Sequence, residues 1–352
     1  MSAPRMQDLV ARSWNEAAPI SSHFELTFRC NLDCSFCYNE KIFGGELTLA
    51  EITRVLESLA RMGVLNVNFS GGEPLVRKDL RQIIDVAQEL GFNVKVYTNA
   101  VLIDEDWAKY FSDAGIFGLE VSIHSDEPEG MDKITRVPGS FTMLLAALER
   151  LKRNGVYVVL KTPVTRHNLD HLLGIKAIGD RFGYPNFFDA KITQRDDGDQ
   201  SPLTEDGMTP EQLVRYWGEI APLLGMGGVN IPAVKSDAAK PICGTASANV
   251  VLDPFGNVLP CVQWRRPLGN VREQSLEEIW SRGAEAQTVR QMALDAVAIS
   301  AANPNGAFAF YCLAKINQST EPLQIVETIW REGGVKKAAY EKLTQIAPSA
   351  NR

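Results

Sequence analysis

From His23 onward, short β-rich runs alternate with stretches of helical period, and this alternation narrows the fold more than any other feature of the chain. The strand candidates are residues 23–30 (HFELTFRC), 65–70 (LNVNFS), 93–99 (NVKVYTN), 118–124 (GLEVSIH), 156–164 (VYVVLKTPV) and 186–193 (NFFDAKIT). Amphipathic stretches lie between them near 49–62, 78–90, 105–114, 140–154 and 169–182. Thr48 and Glu51 stand at capping-box spacing before the first of these. Gly63, Gly91 and Gly155 stand where a left-handed helix C-cap is wanted. Strand and helix in strict alternation imply a parallel sheet with right-handed crossovers. Six such units fall short of the eight that close a full barrel. The expected fold class is α/β, a partial (β/α)6 TIM-like barrel open at one side.

The pattern fails after about residue 194. QRDDGDQSPLTEDG reads as a polar, acidic loop, and residues 209–224 as a connecting helix. NVVLDPFGNVLPCVQ then places two apolar runs around a D-P-x-G-N turn, which is a β-hairpin signal. SLEEIWSRG reads as a helix, and the tail from Leu323 to Ile346 has helical spacing. The expected domains are an N-terminal extension (1–22), the barrel (23–195), a connector (196–240), a small hairpin-plus-helices domain (241–320) and a helical tail (321–352).

Composition excludes several functions. A net charge of −7 argues against a nucleic-acid partner or a polybasic membrane surface. The first twenty residues carry charges throughout and lack the apolar core of a signal peptide. No stretch approaches the roughly eighteen uncharged apolar residues of a membrane helix. Six cysteines in such a chain read as metal or redox ligands before disulfides, so the expected location is the cytoplasm.

Three of those cysteines, Cys30, Cys34 and Cys37, fall within RCNLDCSFC at the end of the first strand candidate. That is the ligand-binding end of a parallel α/β sheet. A structural zinc site would want a fourth thiol or imidazole close by. An iron–sulfur cubane held by three thiolates keeps one iron open, as a catalytic site requires. The bland alternative is three unrelated buried cysteines. The second strand candidate ends in Ser70-Gly71-Gly72-Glu73-Pro74. Glycines there would let the backbone approach a ligand, and the Glu73 carboxylate could accept from an ammonium group.

C-x3-C-x2-C with Phe36 before the last cysteine, followed by the GGEP segment, resembles the radical S-adenosylmethionine (SAM) superfamily over about residues 20–195. The resemblance implies that a [4Fe–4S] cluster on Cys30, Cys34 and Cys37 chelates SAM through its open iron. Gly71, Gly72 and Glu73 would hold the methionyl end, and Phe36 and Tyr38 would face adenine. Thr98, Ser122 and Lys161 would line ribose and carboxylate. For Thr98, Ser122 and Lys161, ordinary strand-end polar residues are an equal alternative. The implied chemistry belongs to the cofactor: reductive cleavage of SAM to methionine and a 5′-deoxyadenosyl radical that takes a substrate hydrogen.

Cys243, Cys261 and Cys312 remain. Gly256 to Cys261 follows a G-x4-C pattern on the hairpin, and Gly269-Asn270-Val271 precedes SLEEIW. This resembles the SPASM/twitch extension of radical SAM peptide maturases and implies an auxiliary [4Fe–4S] cluster on those three cysteines. The chain has VAISAANPNGAFAF where the full pattern has a dense cysteine group, so a second auxiliary cluster is not expected. The fourth ligand is left open between Asp253, Ser247, another residue and a vacant iron. Three buried apolar-like cysteines are the alternative. His124, His167, the Arg195–Asp199 run and Trp264-Arg265-Arg266 stay undecided between site and structural roles.

The resemblance implies an enzyme that modifies a ribosomally made precursor peptide. It also implies an electron donor such as flavodoxin or ferredoxin and, because the barrel begins near residue 23, a separate small peptide-recognition protein. A dehydrogenase or epimerase of an aminosugar or cyclitol is the runner-up. An iron–sulfur electron carrier is the non-enzymatic reading, and the GGEP segment speaks against it.

Overall fold

The computed structural model describes Ser13 and residues 16–226 and 244–301. Six parallel strands form the body: β1 (Ser21–Thr27), β2 (Asn66–Gly71), β3 (Asn93–Thr98), β4 (Gly118–Ser122), β5 (Val158–Pro163) and β6 (Asn186–Asp189). Helices α1 (Leu49–Arg61), α2 (Leu80–Glu89), α3 (Glu105–Asp113), α4 (Pro128–Thr135), α5 (Ser140–Arg153) and α6 (Leu172–Phe182) fill the crossovers. The capping box at Thr48 and Glu51 is formed, and Gly63, Gly91 and Gly155 all adopt positive φ just past a helix end. Helix α4 falls in a stretch that the periodicity leaves as loop, because PEGMDKIT is short and buries only Met131, Ile134 and Thr135.

After β6 come a wide helical turn at Pro202–Asp206, a short α7 (Pro210–Arg215) and a further wide turn at Tyr216–Ile220. The hairpin of β7 (Asn249–Leu252) and β8 (Asn257–Leu259) carries a third short strand, β9 (Gly269–Asn270). It does not stand apart from the barrel. Strand β7 pairs in parallel with β1, Ser21 opposite Asn249 through Phe24 opposite Leu252. The result is one open sheet of nine strands, ordered β6-β5-β4-β3-β2-β1-β7-β8-β9. Helices α8 (Leu276–Arg282) and α9 (Ala284–Ala301) close the described chain.

The two faces of the sheet differ in chemistry. Phe24, Leu26, Val67, Phe69, Val94, Val96, Leu119, Val121, Val158 and Leu160 pack outward into the core under the helices. Alternation sends His23, Glu25, Asn68, Lys95, Tyr97, Glu120, Ser122 and Lys161 to the other face. A parallel sheet covered on both sides is ordinarily apolar on both. A charged inner face carries a desolvation cost that packing alone does not explain, and it marks the concave side as the site.

Candidate functional site

The segment after β1 carries Cys30, Cys34 and Cys37, the first exposed and the others half-buried. Backbone bonds fasten it to the end of α4: the Asp33 amide donates to the Thr135 carbonyl at 3.0 Å and the Ser35 amide to Ile134 at 3.1 Å. The Ser35 hydroxyl donates to the Asp206 carboxylate at 2.6 Å. Asn39 Nδ2 donates to the Gly71 carbonyl at 2.9 Å, and Asn99 Nδ2 to Asn31 Oδ1 at 2.8 Å. Strands β2 and β3, helix α4 and the turn after β6 thus all grip the cysteine loop.

The glycine pair serves this grip. A Cβ on Gly71 would lie 2.1 Å from the Thr27 carbonyl oxygen, and one on Gly72 would lie 2.3 Å from that of Arg29. The Gly72 amide donates to Thr27 at 2.7 Å and the Glu73 amide to Arg29 at 2.9 Å. Absence of side chains here admits the chain's own cysteine-loop backbone.

Glu73 is 0% exposed. Its Oε1 accepts from Thr98 Oγ1 (2.8 Å) and the Leu75 amide (3.1 Å), and its Oε2 from the Asn99 amide (2.7 Å). Burial pushes the carboxyl up to about 7 against the pull of those three bonds. Thr98 is occupied with Glu73 and with the Ala100 amide, so it orients the carboxylate. Ser122 and Lys161 are neighbours in register on β4 and β5. The Lys161 ammonium lies over the Tyr97 ring (4.9 Å) and the Phe187 ring (5.6 Å), with Glu120 at 3.5 Å. Phe36 meets His124 edge-on at 5.0 Å, and burial lowers that imidazole to about 4. Tyr38 donates to Glu25 at 3.1 Å.

The residues suit an iron–sulfur site with a polar ligand beside it. Desolvation raises all three thiols, Cys30 to about 11, against a smaller pull from the Arg195 charge at Cys37, so thiolates here call for a further positive charge. A bound cationic centre supplies that charge. Asn31 Nδ2, Asn39 Oδ1 and His124 Nδ1 are buried with no hydrogen-bond partner among the described residues, and all three residues lie in or against this loop. Among the described residues, no three His, Cys, Asp or Glu side chains converge on one point.

At the second site only Cys261 is described; Cys243 and Cys312 lie outside the described residues. The Gln263 amide donates to the Cys261 sulfur at 3.2 Å. Asp253 accepts from the Phe255 and Asn257 amides, each at 2.9 Å, and from Asn257 Nδ2, so both its oxygens serve the hairpin turn. Ser247 is buried. Trp264 is buried, Arg266 pairs with exposed Glu285, and Arg265 reaches back to Glu25 and Asp196. His167 contacts the Glu205 carbonyl at 3.1 Å at the surface.

Sequence reasoning missed Asn99, Asn39 and Arg77. The Arg77 guanidinium is buried and donates to the Leu26 and Leu47 carbonyls and to Asp79. Asn99 follows Thr98 at a strand end, a signal that polar strand-end residues offer without saying which of them bonds what. Glu25 was missed as well, although a charge inside an apolar parallel strand demands a partner and could have marked it.

Comparison with known proteins agrees with this geometry. Residues 24–175 match the radical SAM superfamily, and residues 243–302 match the SPASM iron–sulfur cluster-binding domain. The chain is 29% identical over 277 residues to PqqA peptide cyclase of Gluconobacter oxydans, covering 75% of this chain and 76% of that one. It is 29% identical over 291 residues to mycofactocin maturase MftC of Mycobacterium ulcerans, covering 78% of each. Among solved structures, native anSMEcpe with bound AdoMet and a Cp18Cys peptide aligns over 94% of this chain and 97% of its own, with a TM-score of 0.66 at 16% identity. Streptococcus suis SuiB bound to S-adenosylmethionine aligns over 90% of this chain and 76% of its own, with a TM-score of 0.62 at 14% identity. A thiol loop gripped by the strand ends of an open parallel sheet, with a hairpin added to its first strand, is thus the frame of a chain that carries a radical SAM superfamily domain over residues 24–175 and a SPASM iron–sulfur cluster-binding domain over residues 243–302.

Proposed function

We propose that the protein reductively cleaves SAM and uses the radical formed to modify a ribosomally synthesised peptide. The observation that carries this reading is the convergence of the Cys30–Cys37 loop on the Glu73–Thr98–Asn99 cluster at the sheet's ligand end. The relatives named above, a peptide cyclase and a maturase, support a peptide substrate. Cys30, Cys34 and Cys37 would hold the SAM cluster, whose bound chemistry is one-electron cleavage of the sulfonium. Gly71, Gly72 and Glu73 would bound the methionyl pocket, with Phe36 and Tyr38 on its adenine side and Ser122 and Lys161 toward ribose and carboxylate. Cys243, Cys261 and Cys312 would hold the auxiliary cluster.

Glu73 keeps its place because three donors hold it, so the one acceptor position left, on Oε2, is pre-aimed. The polar inner face would orient the substrate. We further propose that flavodoxin or ferredoxin supplies electrons, that a separate small protein presents the peptide, and that the enzyme works in the cytoplasm. Among the described residues no helix is long and apolar enough to cross a membrane.

The test is direct. Reconstituted protein, reductant, SAM and a candidate precursor peptide should yield 5′-deoxyadenosine together with a peptide of changed mass. 5′-Deoxyadenosine with aminosugar turnover and no peptide change would give the runner-up instead.

A further inference from the structure

Three residues that no ligand role accounts for form a buried charged cluster between the two cysteine-bearing segments. Glu25, on the inner face of β1, is 0% exposed. Arg265, four positions after Cys261, grips it with both terminal nitrogens, at 2.5 and 2.9 Å. The Arg265 Nε lies 2.7 Å from Asp196 Oδ1 in the loop after β6. The same guanidinium lies 5.4 Å from the Tyr38 ring and 5.7 Å from the Phe28 ring. Tyr38 follows Cys37. Its hydroxyl donates to Glu25 at 3.1 Å, and its carbonyl accepts from the Asp196 amide at 2.9 Å. On the other side, the Trp264 amide donates to the Cys261 carbonyl at 3.1 Å, which ties Arg265 closely to that cysteine.

A bidentate guanidinium between two carboxylates has one favoured orientation, unlike an ammonium point charge. The cluster is therefore a geometric link and more than a neutralised charge. Other ties already hold the hairpin to the barrel: the β1–β7 pairing, the Leu47 amide on the Pro254 carbonyl, and the exposed pairs Arg61–Glu277 and Arg272–Glu51. Loss of Arg265 would leave the hairpin attached but free the segment beside Cys261. We infer that Arg265 is a positioning residue that holds the Cys261 segment against the Cys37–Tyr38 segment through Glu25 and Asp196, so that coupling of SAM cleavage to product formation depends on it. This rests on the reading above, in which Cys261 ligates an auxiliary cluster.

Replacing Arg265 alone leaves Glu25 as an uncompensated buried charge, which can unfold the protein. The decisive variant is therefore E25Q/R265Q, which removes the charges of the buried pair and leaves only half-buried Asp196 without its partner. The loaded double variant is expected to cleave SAM within about threefold of the wild-type rate while product per SAM cleaved falls about tenfold or more. Hydrogen exchange at the Asp196 and Trp264 amides should quicken about tenfold or more, and spin coupling between the two reduced clusters should change. R266Q, which breaks only the exposed pair with Glu285, should leave all of these as in wild type. An unchanged ratio of product to SAM cleaved in E25Q/R265Q, or unchanged exchange at both amides, overturns the inference. Should wild-type protein modify no peptide at all, the proposed function fails by itself. Exchange and spin coupling then decide the Arg265 link alone.

Discussion

Glu73 does two things that pull its protonation in opposite directions. Burial favours the neutral acid, while the Asn99 and Leu75 amides and the Thr98 hydroxyl favour the carboxylate. The balance sits at about 7, above the ordinary 4.5. The folded protein then holds this proton more tightly than the unfolded chain between those two values, so this group's contribution to stability falls as pH rises through that window. Urea midpoints of cofactor-free wild type and Glu73→Gln between pH 4.5 and 7.5 should show a shallower decline in the variant. Equal slopes would mean that the carboxyl titrates normally. The same substitution should weaken SAM binding by about 1–2 kcal/mol, the excess of a charged hydrogen bond (about 1.5–3) over a neutral one (about 0.5–1.5). Calorimetry with SAM reads that directly, and unchanged affinity removes Glu73 from the binding role.

The cysteine loop is an element without regular structure, and its shape depends on neighbours. Gly72 is a close test, since a methyl group there collides with the Arg29 carbonyl beside Cys30. Overpacking of this kind costs about 1–3 kcal/mol where the surroundings can move, and the cost falls on the loop. Gly72→Ala should reconstitute with about four irons fewer per chain. Full iron content would show that the loop tolerates the shift. Helix α1 offers a contrast, because its capping box is local and exposed. Thr48→Ala should cost about 1 kcal/mol and leave iron content intact, as denaturant titration and iron assay would establish.

Across the whole molecule, one sheet carries both cluster segments, since β7 lies beside β1. Two cubanes would give about eight irons per chain, and replacing Cys30, Cys34 and Cys37 together by Ala should leave about four. A triple variant with full iron would refute the first site. Cys261→Ala should fold, because that side chain supports no strand pairing, and should still cleave SAM while failing to convert peptide. Normal product from that variant would exclude the auxiliary cluster from the reaction.

The alternation of strands and helices was readable because periods of 2 and 3.6 residues are local properties of the chain. The Thr48 capping box was readable for the same reason: its partners are three residues apart. The thiol triplet and the GGEP segment were readable because a fixed cofactor demands fixed spacing. The placement of Asn99 on Asn31, of Asn39 on Gly71 and of Arg265 on Glu25 was not, since the last pair is 240 residues apart in sequence. Nor did any local pattern say that the second hairpin would extend the first sheet beside β1. Such long-range pairs are chosen by which polar groups folding leaves without water, and only the assembled tertiary structure decides that.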